Sequence, residues 1–355
     1  MNKRITAVAT LALTVCSNAA LGQSNVAFYG VMDLGISQDR GGLAGTSTRV
    51  TSGMATQSRW GFKGNEDLGG GLSAFFVIEG GIHGDVGNST QNNTLFGRTS
   101  IVGLRSAKLG SVSIGLQDTP LFTTLNTIVD PLRNGIARSN NLMPSTGFRA
   151  SNSVLFRTAD MHGFSADFMV AAGEVAGDSS ASRALGGSVG YAKGPWNIRL
   201  AYHDRNNDSA NVKNTGSGRN FLLGANVDFE VAKLWFGLGV DKGLNSAPLN
   251  SSGAPFGATP PTPSTDSRDL LLGVSVPFGP HTIVATAIAK DDRGVLKQDA
   301  QQYALAYMYA FSKRTDVYTS YARIRNHNGA GYTEGNSEEP GLGDRQFTVG
   351  LRHRF

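Results

Sequence analysis

The chain ends on Phe347-Thr348-Val349-Gly350-Leu351-Arg352-His353-Arg354-Phe355. Phe347, Val349, Leu351, His353 and Phe355 fall on one face of an extended chain, and the small or polar Thr348, Gly350, Arg352 and Arg354 fall on the other. This is a period-two strand that runs to the last residue. Soluble chains usually finish in a frayed polar tail. A last strand that stops on an aromatic suits a closed barrel in a membrane, where the final strand pairs with the first and the ring sits in the bilayer interface. Read alone, the segment also fits an edge strand of a soluble sandwich.

The other end of the chain weighs against the sandwich. Lys3 and Arg4 precede a short apolar run over 5–15, and Ala19-Ala20-Leu21-Gly22 offers the small residues a signal peptidase reads. Residues 1–22 are therefore expected to be a cleaved leader and residues 23–355 the mature domain. The apolar run is too short to span a bilayer. Val15 before Cys16 is too bulky for a lipoprotein site. Cys16 is the only cysteine, so the mature chain would hold no disulfide and must be stabilised by burial or by closing its hydrogen-bond network.

Within 23–355 no segment approaches the roughly 20 apolar residues of a membrane helix. The 46 glycines and an apolar fraction of only 40% go with short alternating runs. Val112, Ile114 and Leu116 form one such run. Phe164 to Val170, Trp196 to Tyr202, Phe221 to Phe229, Leu234 to Val240, Leu270 to Val276 and Tyr303 to Phe311 form others. Short turns at 66–69, 108–110, 193–195, 278–280 and 312–314 alternate with long polar connections at 38–49, 83–94, 205–217, 243–265 and 327–341. Short turns on one rim and long loops on the other are expected of an outer-membrane barrel, and the runs number about 16. The stretch 119–153 has no period of two, yet it carries Leu121, Phe122, Leu125, Ile128, Val129 and Leu132. A long connection that apolar must pack on something, and the lumen of a wide barrel offers the surface. The expectation is an all-β, 16-stranded antiparallel transmembrane β-barrel whose third loop folds inward.

The segments that flank these runs carry a resemblance. Val26-Ala27-Phe28-Tyr29-Gly30-Val31-Met32-Asp33, Ser58-Arg59-Trp60-Gly61-Phe62-Lys63-Gly64-Asn65-Glu66-Asp67-Leu68-Gly69-Gly70-Gly71-Leu72, Leu95-Phe96-Gly97-Arg98, Asn152-Ser153-Val154 and the terminal Arg354-Phe355 resemble the general porins of Gram-negative outer membranes, beta-proteobacterial type. The resemblance spans the whole mature chain. It implies a homotrimer embedded among outer-membrane lipid and lipopolysaccharide. It also implies a third loop in the lumen, a water-filled channel for passive diffusion of small hydrophilic solutes and ions, and a terminal Phe355 that signals to the outer-membrane assembly machinery. Two departures bear on ion choice: Gly115-Leu116-Gln117 stands where the family often has an arginine, and the loop lacks an acidic-aromatic run.

Carried over by residue, the resemblance puts Arg59, Arg98 and Arg157 on the channel wall. Parity agrees, since Arg59 and Lys63 lie opposite Trp60 and Phe62, Arg157 opposite Val154 and Phe156, and Arg199 opposite Ile198 and Leu200. A charge on the lipid face would cost about 2–4 kcal/mol near the midplane, so these side chains are expected inside. Asp118, Asp130, Arg133 and Arg138 complete the expected constriction. Over 119–153 three arginines stand against one aspartate, a formal +2. The preference is therefore expected to be for anions, opposed by Asp118 and Glu79 if both face the lumen.

Other chemistry finds little support. The formal charge of +5 falls to +3 without Lys3 and Arg4, and no basic helix or zinc spacing suggests nucleic acid. The six histidines are scattered without ligand spacing, so no metal and no cofactor is expected. No nucleophile elbow is present, and no enzymatic activity is expected. An outer-membrane barrel protease or phospholipase, or a surface antigen with a plugged lumen, are the alternatives.

Overall fold

The computed structural model describes residues 25–144, 147–248, 254–257, 264–336 and 339–355. The expected leader lies outside them. One antiparallel sheet closes on itself. Its strands are β1 (Asn25–Gly42), β2 (Gly45–Ser52 continued by Arg59–Gly69), β3 (Leu72–His83), β4 (Thr99–Ser106), β5 (Gly110–Asp118), β6 (Arg149–Thr158), β7 (Phe164–Ala171), β8 (Ala184–Lys193), β9 (Trp196–Asn206), β10 (Ser217–Asp228), β11 (Lys233–Lys242), β12 (Asp266–Phe278), β13 (His281–Asp292), β14 (Ala300–Ala310), β15 (Thr315–Asn326) and β16 (Arg345–Arg354). The two pieces of β2 pair in turn with the outer and inner halves of β1, so they are one strand with a break. A two-residue segment, Asn88–Ser89, pairs only with the end of β3 and is not part of the wall. The barrel thus has sixteen strands.

Closure occurs between β1 and β16, from Val31 opposite Arg354 to Arg40 opposite Arg345. Gly30 N–H donates to the Phe355 carbonyl at 3.2 Å, and Phe355 N–H returns a bond to the Gly30 carbonyl at 3.1 Å. The Phe355 ring lies 5.5 Å from that of Phe28. Its edge occupies the space a Gly30 side chain would need, since a Cβ there would sit 2.3 Å from the ring. Every strand has two neighbours, which satisfies the ladder without water and leaves no edge.

The alternation seen in the sequence sorts the two faces. Phe28, Ile36, Val102, Ile114, Phe168, Leu200, Leu272, Leu305 and Val349 are all exposed and point outward, as a lipid-facing surface does. One rim carries only tight turns together with the start and end of β1 and β16; the other carries the long connections. The polar stretch 38–49 is a correction. It is not a loop but the top of β1, a two-residue turn and the start of β2. One face packs polar groups such as Asp39, bonded to Arg49 and Gln346, and the other carries polar residues and glycine, so it lacks the apolar alternation that marks a strand within the bilayer.

The lumen has a hydrophobic lining on one side. Leu222, Trp235, Leu271, Ile288 and Ile324 face inward on β10 to β13 and β15, and there they bury Leu121, Leu125, Val129, Leu142 and Met143 of the connection 119–148. This explains runs such as Leu270-Leu271-Leu272, which are apolar on both faces: one face meets lipid and the other meets the loop. Thr119 caps a short helix, Pro120–Thr124, by accepting from Phe122 N–H at 3.2 Å. The chain then continues through a π-helical turn, Leu125–Val129. The wall yields to it with glycine. A Cβ at Gly224 would stand 2.6 Å from Val129, and one at Gly237 only 2.3 Å from it. Asn226 donates to the Ile128 carbonyl at 2.9 Å, and Lys290, held by Asp269 at 3.0 Å, donates to the Leu142 carbonyl at 3.0 Å. Each fully buried leucine contributes about 1.5–3 kcal/mol, so the loop is fixed to this wall by several of them.

Candidate pore constriction

With one side of the lumen covered, the open space lies against the opposite wall, built from β1 to β5 and β16. The break at 53–58 in β2 shapes it. Gly53 N–H donates to the Asp33 carbonyl at 2.8 Å, and the Ser58 hydroxyl bonds both the amide and the carbonyl of Asp33 at 3.0 Å. The break is thereby pinned to β1, and Thr56, Gln57 and Arg59 are delivered to the lumen.

Glu79 on β3 organises the charges there. It pairs with Arg59 at 3.3 Å and with Arg98 at 2.7 Å, and it accepts from the Tyr29 hydroxyl at 3.0 Å. Arg98 also donates to the side-chain oxygen of Gln57. On β16, Arg352 and Arg354 share Asp316 at 3.0 and 2.9 Å, and Arg352 reaches Thr56 at 2.6 Å. Asp118 pairs with Arg149 at 3.1 Å where the inner loop leaves and rejoins the wall. Arg133 projects from the loop, and among the described residues it enters no salt bridge. These groups border a cavity of ≈ 570 Å³, faced by five arginines (Arg59, Arg98, Arg133, Arg352, Arg354) and two carboxylates (Glu79, Asp118).

Of the residues singled out in the sequence, Arg59, Arg98, Asp118 and Arg133 meet at this cavity. Lys63 lies further toward the short-turn rim, its ammonium 5.1 Å from the Tyr29 ring centre. Arg157 and Arg199 form a separate group on β6 to β9, joined by Asp167 at 3.7 and 3.0 Å. Asp130 is buried, and its carboxylate accepts from the amides of Leu132, Asn134 and Ser139 at 2.8, 2.9 and 3.1 Å. It shapes the loop from within and is not among the residues around the cavity. Arg138 donates to Asn141 at 2.6 Å on the same loop. Sequence reasoning passed over Arg352 and Arg354 as channel residues, although they share the inward face of the terminal strand.

The family model described as Gram-negative porin matches residues 7–329. The chain belongs to the Gram-negative porin family. The porin is 30% identical to an outer membrane porin protein of Bordetella pertussis and 31% identical to outer membrane porin protein 32 of Delftia acidovorans, with 100% of both chains covered in each case. It superposes on an anion-selective porin from Comamonas acidovorans with a TM-score of 0.74 and 26% identity, over 94% of this chain and 100% of that one. The porin is an outer-membrane channel.

Proposed function

We propose that this channel passes small hydrophilic solutes by passive diffusion, prefers anions, and performs no chemistry on what it carries. The observation that carries the reading is the excess of arginine over carboxylate around the cavity. Basic rings select for anions, and a narrow gap with low-dielectric walls focuses their field. Glu79 neutralises part of the Arg59 and Arg98 charge, which leaves Arg133 as the cation with least compensation. The anion selectivity of the Comamonas porin, at 26% identity, supports the same direction. The mature protein would be residues 23–355, released by cleavage after Gly22. It would assemble as a homotrimer among outer-membrane lipid and lipopolysaccharide, with Phe355 read by the assembly machinery.

Reversal potentials across a planar bilayer in a potassium chloride gradient test the reading. Chloride preference is expected, fading toward molar salt as the Debye length falls to about 3 Å. A cation-selective wild type would overturn it.

A further inference from the structure

The outer face of the wall is not charged evenly around the ring. On β15, β16 and β1 the register sets Arg323 opposite Arg345 and Arg345 opposite Arg40. The next outward row, two residues closer to the membrane middle, sets Tyr321 opposite Phe347 and Phe347 opposite Gln38. The row after it sets Val349 opposite Ile36. Tyr321, Phe347, Val349 and Ile36 are exposed on the lipid side, so the three arginines share that side. They stand just above the apolar band, toward the rim of the long loops, which faces the outside of the cell.

Three guanidinium groups set side by side repel one another. Among the described residues only Asp344 pairs with the row, at 3.1 Å from Arg345. Arg40 and Arg323 enter no salt bridge there, and Arg323 Nε is buried without a hydrogen-bond partner. A groove of ≈ 330 Å³ opens where the two upper rows meet, bordered by Arg40 and Arg345 and by Gln38, Tyr321 and Phe347. The far side of the barrel differs. There Asp204, Arg219, Lys242 and Asp266 face one another across β9 to β12. Base meets acid at 3.6 and 2.5 Å, and that row carries no surplus.

We propose that this face of β15, β16 and β1 binds a phosphorylated glycolipid of the outer leaflet, with its phosphates on Arg323, Arg345 and Arg40 and its acyl chains against Tyr321, Phe347, Val349 and Ile36. Guanidinium groups hold phosphate by paired, charge-assisted hydrogen bonds, and a phosphate between them turns their repulsion into attraction. The row spans two strand spacings, about 10 Å, which suits a headgroup with two phosphates better than one with a single phosphate. The site gives the lipopolysaccharide surroundings proposed above a fixed place, and it rests on them.

Native mass spectrometry of the folded porin in detergent tests it, with diphosphoryl lipid A, monophosphoryl lipid A and phosphatidylglycerol as probes. The first diphosphoryl lipid A on each chain is expected to bind most tightly, with the other two lipids weaker by about tenfold. Arg40→Gln combined with Arg323→Gln should weaken that first binding by about tenfold, and Arg219→Gln on the far side should leave it unchanged. Equal binding of all three lipids overturns the site, a result that needs no variant to fold. So does full binding by the double variant, or an equal loss in Arg219→Gln, which would reduce the effect to general charge. Displacement of the lipid by millimolar inorganic phosphate would make this a site for the free ion. A lipid-free double variant that falls from oligomer to single chains would make the face a contact between copies; either result also overturns the lipid site. Lipid A that binds nowhere on the porin counts against the lipopolysaccharide surroundings as well, whereas lipid A bound without regard to Arg40 and Arg323 counts against this face alone. Neither arginine faces the lumen, so reversal potentials should be unchanged in the double variant, and the anion reading stands or falls separately.

Discussion

Glu79 sets the charge balance of the cavity by holding Arg59 and Arg98 on its two oxygens. Glu79→Gln should therefore shift the reversal potential further toward chloride, and Arg98→Glu should bring it toward or past zero, both read in the same salt gradient. Arg157→Glu should change it much less, because Arg157 sits with Asp167 away from the cavity. Parity in the sequence was enough to expect Arg59, Arg157 and Arg199 inside, since a charge on the lipid face is too costly, while Arg98 was expected there from the resemblance. It could not rank them, because rank depends on partners that belong to other strands. Arg352 and Arg354 share Asp316 of the neighbouring β15, and Arg352 meets Thr56 only after the barrel closes. Asp130 misled for a different reason. Its setting, Asp130-Pro131-Leu132-Arg133-Asn134-Gly135, has turn composition, and an aspartate there commonly caps its own backbone. Asp130→Ala would strand three buried amides at about 1–3 kcal/mol apiece at the upper end. The expected outcome is a noisier open channel with its ion preference kept, measured by single-channel recording.

The inner loop shows what length and composition can reveal about an element. A connection too long and too apolar to sit in water is legible in the residues alone, and its burial against the β10 to β13 wall follows from that content. Which glycines make room for it is not legible among 46 of them. Gly237 is one, with a Cβ there only 2.3 Å from Val129. Gly237→Val should push the loop off its wall and into the open half of the lumen. Conductance should fall, and overpacking should cost about 1–3 kcal/mol, read as a lower temperature for loss of the heat-modifiable barrel. The stretch 38–49 shows the opposite error. A period-two pattern of hydrophobicity marks strands only where one face meets lipid, so a hairpin raised into water reads as a loop.

Taken as a whole, the barrel joins its first strand to its last, and β1 runs beside the end of β16 near the short-turn rim, with Phe355 bonded to Gly30. Gly30→Leu should force the Phe355 ring outward and lower the melting temperature of the folded form, again by overpacking of about 1–3 kcal/mol. A ring of strands has no physical beginning, however. Bridging residue 355 to residue 25 with a short linker and opening the chain in the tight turn at Gly194 would give the same circle cut elsewhere. Such a permutant should refold in detergent to a barrel of native heat-modifiability, because each strand keeps both neighbours. In cells it should fail to reach the outer membrane, because its phenylalanine is no longer a free end. Native insertion of the permutant would show that Phe355 matters only as a piece of wall. Order along the chain would then be a matter of delivery, and the folded ring would keep no memory of where synthesis stopped.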